Sequence, residues 1–246
     1  MGRVKTRRIS RISRINRQFT TPKKKIYEAF KDERKMNINI LFAENVFNVL
    51  GPAAKSLILD SEHAITVKTM NSVGFSSSNI TVPNINEVEC EALRKYGVYS
   101  PHTTAEKCVN ESGISHNAAW YDGMTTIGGC VKTNHYIGEF SNRFLNKNKT
   151  KVGNKCVLAV TVSTQNLVKN CDVMPQKMMI DYQMAAIIAA NGFVVDETES
   201  HGYKKNMYFS MWNLTYNPRK VVNKPKLLTW RKSERLIGFP PKCTNL

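Results

Sequence analysis

Apolar and polar positions follow two rhythms along this chain, one suited to helices and one to strands. Between Lys24 and Leu50 the apolar residues Phe42, Val46, Val49 and Leu50 fall on one helical face, and Gly51-Pro52 supplies a stop. Short unbroken apolar runs then alternate with helical segments. Ser56 to Leu59 predicts a strand, Ile65 to Val73 a helix closed by Gly74, and "NITV" (Asn79 to Val82) a second strand ended by Pro83. Asn86 with Glu89 has the spacing of a capping box for a helix running through Tyr96. Thr103 with Glu106 has the same spacing for a helix ending near Gly113, and a weak strand, Val98 to Ser100, lies between the two. "SHNAAWYD" (Ser115 to Asp122) predicts a fourth strand and Ile127 to about Leu145 a helix. "KCVLAVTVS" (Lys155 to Ser163) is apolar enough for a strand covered on both faces. Ile180, Met184, Ile187 and Ile188 share one face of a last helix, ended by Gly192. Phe193 to Ser200 and Asn206 to Tyr216 follow as two strand-like segments joined through "HGYKK".

Strands alternating with helices predict a three-layer α/β sandwich of the Rossmann-like kind, with a mostly parallel sheet. The last two strands have no helix between them, so they pair as an antiparallel hairpin at one edge.

Charge changes the picture. The 246 residues carry a formal net charge of +17, against an apolar content of 41% that suffices for a core. Such an excess points to a polyanionic partner, nucleic acid above all, or to an anionic membrane surface. It is concentrated at the start. "RRISRISRINR" repeats Arg-Ile-Ser/Asn every three residues, and no acidic residue precedes Glu28. Three-residue spacing drifts around a helix and builds no clean apolar face. We expect residues 1–25 to form a disordered basic arm whose Arg7, Arg8, Arg11, Arg14, Arg17, Lys23, Lys24 and Lys25 bind phosphates. A mitochondrial presequence and a nuclear-import signal share this composition. Residues 26–216 then form the α/β domain, and the Pro-punctuated residues 217–246 a second basic extension.

The six cysteines are scattered without a C-x-x-C pair, and the five histidines show no H-x-x-x-H spacing, so no metal centre is expected. With no apolar leader at its start, the chain reads as an intracellular protein with reduced thiols, in the nucleus or otherwise associated with nucleic acid. No apolar run reaches the roughly 20 residues of a membrane span. G-x-S-x-G and Walker sequences are absent, which removes the common hydrolase and NTPase signals.

The first strand-to-helix turn, "LDSEHAIT", carries an acid, Asp60, where a ligand-binding α/β protein turns into its first helix, but no glycine. The element order, the helix before strand one and the closing hairpin "FVVDETES…NMYFSMWNL" resemble the class I S-adenosylmethionine-dependent methyltransferase superfamily, over roughly Ala54 to Tyr216. The resemblance implies that Asp60, at the end of strand one, orients the cofactor, and Glu62 of the same turn is grouped with it. Asn84, in "VPNIN", stands where the family places a ribose-binding acid. Asp122 and Tyr121, in "WYDG", stand at the family's catalytic position after strand four, where Asp122 would take a proton or position the acceptor. Tyr121 or Trp120 would stack on a flipped base. Ser61-Glu62-His63-Ala64 replaces the family's glycines, so side chains fill space that glycine leaves open.

Two functions follow from this reading. One is a methyltransferase acting on nucleic acid with S-adenosylmethionine as cofactor. The other is the same fold without catalysis, coating or packaging nucleic acid, in a virus particle for example. The rim acids favour the first and the missing glycines the second.

Overall fold

A computed structural model describes residues 33–126, 131–163, 173–203 and 207–221. The arm, with the eight basic residues named above, and nearly all of the C-terminal extension lie outside the described residues.

Helix α1 (Glu33–Leu50) leads into β1 (Ser56–Ile58), then α2 (Ile65–Val73), β2 (Ile80–Thr81), α3 (Glu87–Arg94) and α4 (Ala105–Glu111). The second half runs β3 (Ala118–Thr126), α5 (Val131–Lys147), β4 (Lys155–Ser163), α6 (Val173–Ala190), β5 (Phe193–Tyr203) and β6 (Met207–Tyr216). The six strands lie in the order β2-β1-β3-β4-β6-β5. The first four are parallel neighbours, whereas β6 inserts antiparallel between β4 and β5. This is the expected sandwich with its antiparallel edge hairpin. The weak strand at Val98 to Ser100 is reduced to parallel bridges, Thr81 to Tyr99 and Asn84 to His102, along the open edge of β2.

The sheet separates two cores because successive strand residues face opposite ways. On one side Phe42, Val46, Val67, Met70, Trp120 and Phe209 pack beneath α1 and α2. On the other, Tyr121, Phe140, Phe144, Met184 and Trp212 pack beneath α4, α5 and α6. Trp120 anchors the first core, with ring centroids 5.0 Å from Phe42 and 5.4 Å from Phe209 and its indole N–H donated to Thr161 Oγ1 at 2.9 Å. Cys156 to Val162 are buried throughout, as the unbroken apolar run of β4 requires.

Helix boundaries differ from expectation by one or two residues at the described ends, and two of the caps differ for local reasons. Asn86 caps α3 by accepting from Val88 N–H at 3.1 Å, but Glu89 does not return to the Asn86 backbone; its carboxylate takes the side-chain amides of Asn84 and Asn86. The cap of α4 is Thr104, not Thr103, since Thr104 Oγ1 accepts from Lys107 N–H at 3.3 Å and Glu106 is buried. Strand β3 starts at Ala118 and runs past Asp122 to Thr126, with an irregularity between the two.

Candidate functional site

Because β1, β2 and β3 are parallel neighbours, their carboxyl ends share one rim of the sheet, the place where open α/β sheets bind ligands. Asp60 follows β1, and both its oxygens are engaged. Oδ1 accepts from Ser61 N–H at 2.8 Å and Oδ2 from Val67 N–H at 3.1 Å. Val67 lies in the first turn of α2, so Asp60 caps that helix from outside. The ordinary cap position holds Ala64, which has no side-chain oxygen and adopts the left-handed conformation with φ 51°. The turn thus keeps the backbone shape glycine favours while carrying a buried methyl group. Burial pushes the Asp60 carboxyl up to about 6; the two N–H bonds and the Lys35 ammonium oppose that rise, and Asp122 adds to it.

Asp122 lies on β3, the neighbouring strand, and its Oδ2 is ion-paired with the ammonium of Lys35, from the first turn of α1. That ammonium sits 4.3 Å from the centroid of the Trp120 ring, over its face. Both partners are mostly covered, with 20% of the Lys35 side chain and 13% of the Asp122 side chain exposed. The second oxygen, Oδ1 of Asp122, is buried without a hydrogen-bond partner among the described residues. One helical turn beyond Lys35, the amide of Asn39 is likewise buried and unpartnered among them. The Asp122–Lys35 pair therefore lies at the rim close enough for Asp60 to feel both charges.

Asn84 follows β2 on the same rim, with both ends of its amide engaged. Oδ1 accepts from Asn86 N–H at 2.9 Å and Nδ2 donates to Glu89 Oε2 at 2.7 Å. Glu89, from the adjacent helix, thus places a carboxylate beside Asn84. Glu62 is exposed, with its Oε1 3.9 Å from His63 Nε2.

Two expectations are corrected here. Tyr121 does not join Asp122, because consecutive residues of a strand face opposite sides. It is buried against Phe140, with ring centroids 5.1 Å apart, and its phenol is raised by burial and by its bond to Glu106. Trp120 is fully buried beneath Lys35, so neither ring presents a face to a base. Lys35 and Glu89 were not among the expected site residues. Lys35 had a legible signal: it lies three and seven residues before Ile38 and Phe42, a cation on the buried stripe of α1. Among the described residues no cluster of three or more His, Cys, Asp or Glu side chains is arranged to hold a metal.

No family model matches the chain. No curated protein matches it. Solved structures do, at low identity. Magnesium protoporphyrin IX methyltransferase (ChlM) from Synechocystis, crystallised with bound SAH, is 8% identical over 75% of this chain and 82% of its own, with a TM-score of 0.49. TrmN from Thermus thermophilus is 10% identical over 72% of this chain, which spans 48% of TrmN, with a TM-score of 0.45. Geranyl diphosphate C-methyltransferase from Streptomyces coelicolor is 9% identical over 71% of this chain and 79% of its own, with a TM-score of 0.42. In strand order and strand direction, the described part of this chain has the Rossmann-like, methyltransferase-type fold.

Proposed function

We propose that this chain is an S-adenosylmethionine-dependent methyltransferase acting on nucleic acid. The observation that carries the reading is the ion pair of Asp122 with Lys35 at the rim, beside the buried Asp60 of the neighbouring parallel strand. A rim that holds Lys35 in this way is built for positive charge, and the unpartnered Asp122 Oδ1 leaves one acceptor open. The cofactor is cationic at both its sulfur and its amino group, so the acids fit it in charge. Asp60 would orient its cationic part, and the Asn84–Glu89 pair would hold its ribose hydroxyls.

When bound, S-adenosylmethionine supplies a methyl group on a positively charged sulfur, electrophilic without further activation. What remains for the protein is alignment and one proton. Asp122 Oδ1 is the open acceptor to which the N–H or O–H of an incoming nucleophile can donate. Lys35, bonded to the other oxygen and seated on Trp120, fixes the direction in which Oδ1 points. The charge of +17 and the basic arm support a nucleic-acid substrate, and with it a location inside the cell alongside nucleic acid.

A second reading rests on different observations: the Ala64 methyl in the turn after β1, both Asp60 oxygens spent on backbone N–H groups, and Lys35 already on Asp122. These favour the same fold binding nucleic acid without catalysis. Thermal denaturation with S-adenosylmethionine and with S-adenosylhomocysteine separates the two. At a hundredfold excess over its dissociation constant a ligand adds about 2.7 kcal/mol, a clear rise in Tm. A midpoint that stays put at millimolar levels of either compound leaves only the second reading.

A further inference from the structure

The end of the sheet opposite the rim gathers basic residues from four separate segments. Lys55 precedes β1, Lys147 closes α5, Lys149, Lys151 and Lys155 span the entry to β4, and Arg219 and Lys220 follow β6. All but Lys149 are exposed, and Lys149 is half-buried. Backbone bonds draw these segments together. Gly153 N–H donates to Tyr216 O at 2.9 Å, Tyr216 N–H to Asn154 O at 2.8 Å, Asn117 N–H to Lys55 O and Val157 N–H to Asn117 O, each at 3.0 Å. Lys155 pairs across the ladder with Thr215, and Lys147 Nζ reaches Asn110 O at 3.5 Å. Three acids are near. Glu111 ends α4, Asp196 accepts from Thr215 Oγ1 at 2.6 Å, and Glu197 follows it, accepting from Asn213 Nδ2 at 3.0 Å. Seven cations against three acids leave a local excess.

We infer that this basic end is a second nucleic-acid binding surface, one that grips the phosphate backbone without reading bases. The inference rests on the nucleic-acid half of the proposed function and not on methyl transfer. From β1 to β6 is three strand spacings, about 14 Å, which spans several phosphates of a duplex rather than one anion. Asp122 pairs with Thr161, six residues along β4 from Lys155, which puts about 20 Å between this end and the Asp60–Asp122 rim. Polymer held here is therefore held apart from the site where it would react. A lipid surface fits less well. At this end Val152 and Val195 are the exposed large apolar side chains among the described residues, where a membrane-surface protein presents a band of them.

The test uses the full chain and a duplex of about 30 base pairs, with the dissociation constant measured from 50 to 200 mM salt. For every phosphate the protein no longer neutralises, the slope of log K against log salt becomes shallower by about 0.9. K151Q/K155Q should make it shallower by about 1 to 2 and weaken binding at least several-fold at low salt. K68Q/K107Q removes the same charge from α2 and α4, nearer the other end, and should leave the slope within about 0.3 of the parent. Equal effects in both variants reduce the result to net charge and overturn the inference. So does an unchanged slope in K151Q/K155Q while the full chain still binds. Loss of binding to anionic vesicles with duplex binding intact would reassign the surface to lipid. A full chain that binds no duplex at all removes the nucleic-acid reading itself, and this inference with it.

Discussion

Lys35 and Asp122, 87 positions apart in sequence, form an ion pair that ties the first turn of α1 to the rim of the sheet. Exposed pairs of this kind contribute about 0–1 kcal/mol, whereas removing one partner of a fully buried pair costs about 3–5. With 20% and 13% of the two side chains exposed, this pair lies between the limits. Lys35→Met should destabilise the fold by about 2 kcal/mol, because Asp122 keeps its charge in a covered place. Adding Asp122→Asn should recover most of the loss. Urea midpoints of the two single variants and the double check this, and simple additivity would show that the residues do not act as a pair.

The same geometry sets a pH dependence through Asp60. Its carboxyl is raised in the folded state from 3.8 to about 6, mainly by burial. Between those values the folded chain binds more protons than the unfolded one, so stability falls as pH rises. The contribution is complete below about 3.8 and lost as pH climbs through about 6. Asp60→Asn cannot titrate, yet keeps an oxygen to cap α2. Its stability profile, from urea unfolding across pH 4 to 7, should be flatter than the parent's, and an identical slope would count against a raised Asp60.

Much of this is readable from residues alone, and the exceptions have physical causes. Unbroken apolar runs such as Cys156 to Val162 betray a strand covered on both faces, and the missing helix between the last two strands forces their antiparallel pairing. The period of two is equally available at Trp120, Tyr121 and Asp122; applied strictly, it separates Tyr121 from Asp122 on sequence alone. What local pattern does not hold is pairing at a distance. Nothing near Lys35 in sequence names Asp122, although a cation on the apolar stripe of α1 announces that it needs a partner. Glu89 is legible only as half of a capping box, and its turn toward Asn84 depends on how α3 docks beside β2.

Ala64 offers a test of the turn after β1. A non-glycine residue in the left-handed region costs roughly 1–2 kcal/mol, whereas the buried methyl it contributes is worth about 0.8 kcal/mol. The backbone term is the larger, so Ala64→Gly should stabilise the protein by about 0.5–1 kcal/mol although it removes core volume. It also clears the methyl from the turn that borders the rim. If the methyltransferase reading holds, the Tm rise given by S-adenosylhomocysteine should be larger in this variant. A destabilised Ala64→Gly would mean that packing of the methyl outweighs backbone strain at this position.

The basic arm makes the last prediction. Residues 1–25 hold Arg7, Arg8, Arg11, Arg14, Arg17, Lys23, Lys24 and Lys25 and no acid. If they bind phosphates, each phosphate neutralised releases condensed counterions, and the salt dependence of binding records how many. Deleting residues 1–25 should therefore do more than weaken nucleic-acid binding. It should flatten the slope of log K against log salt by about 0.9 for every phosphate the arm had neutralised on duplex DNA. The urea midpoint should move little, because the described core residues on both faces of the sheet all follow Glu33. An unchanged slope with weaker binding would make the arm's charge incidental, and would leave a targeting sequence as its role.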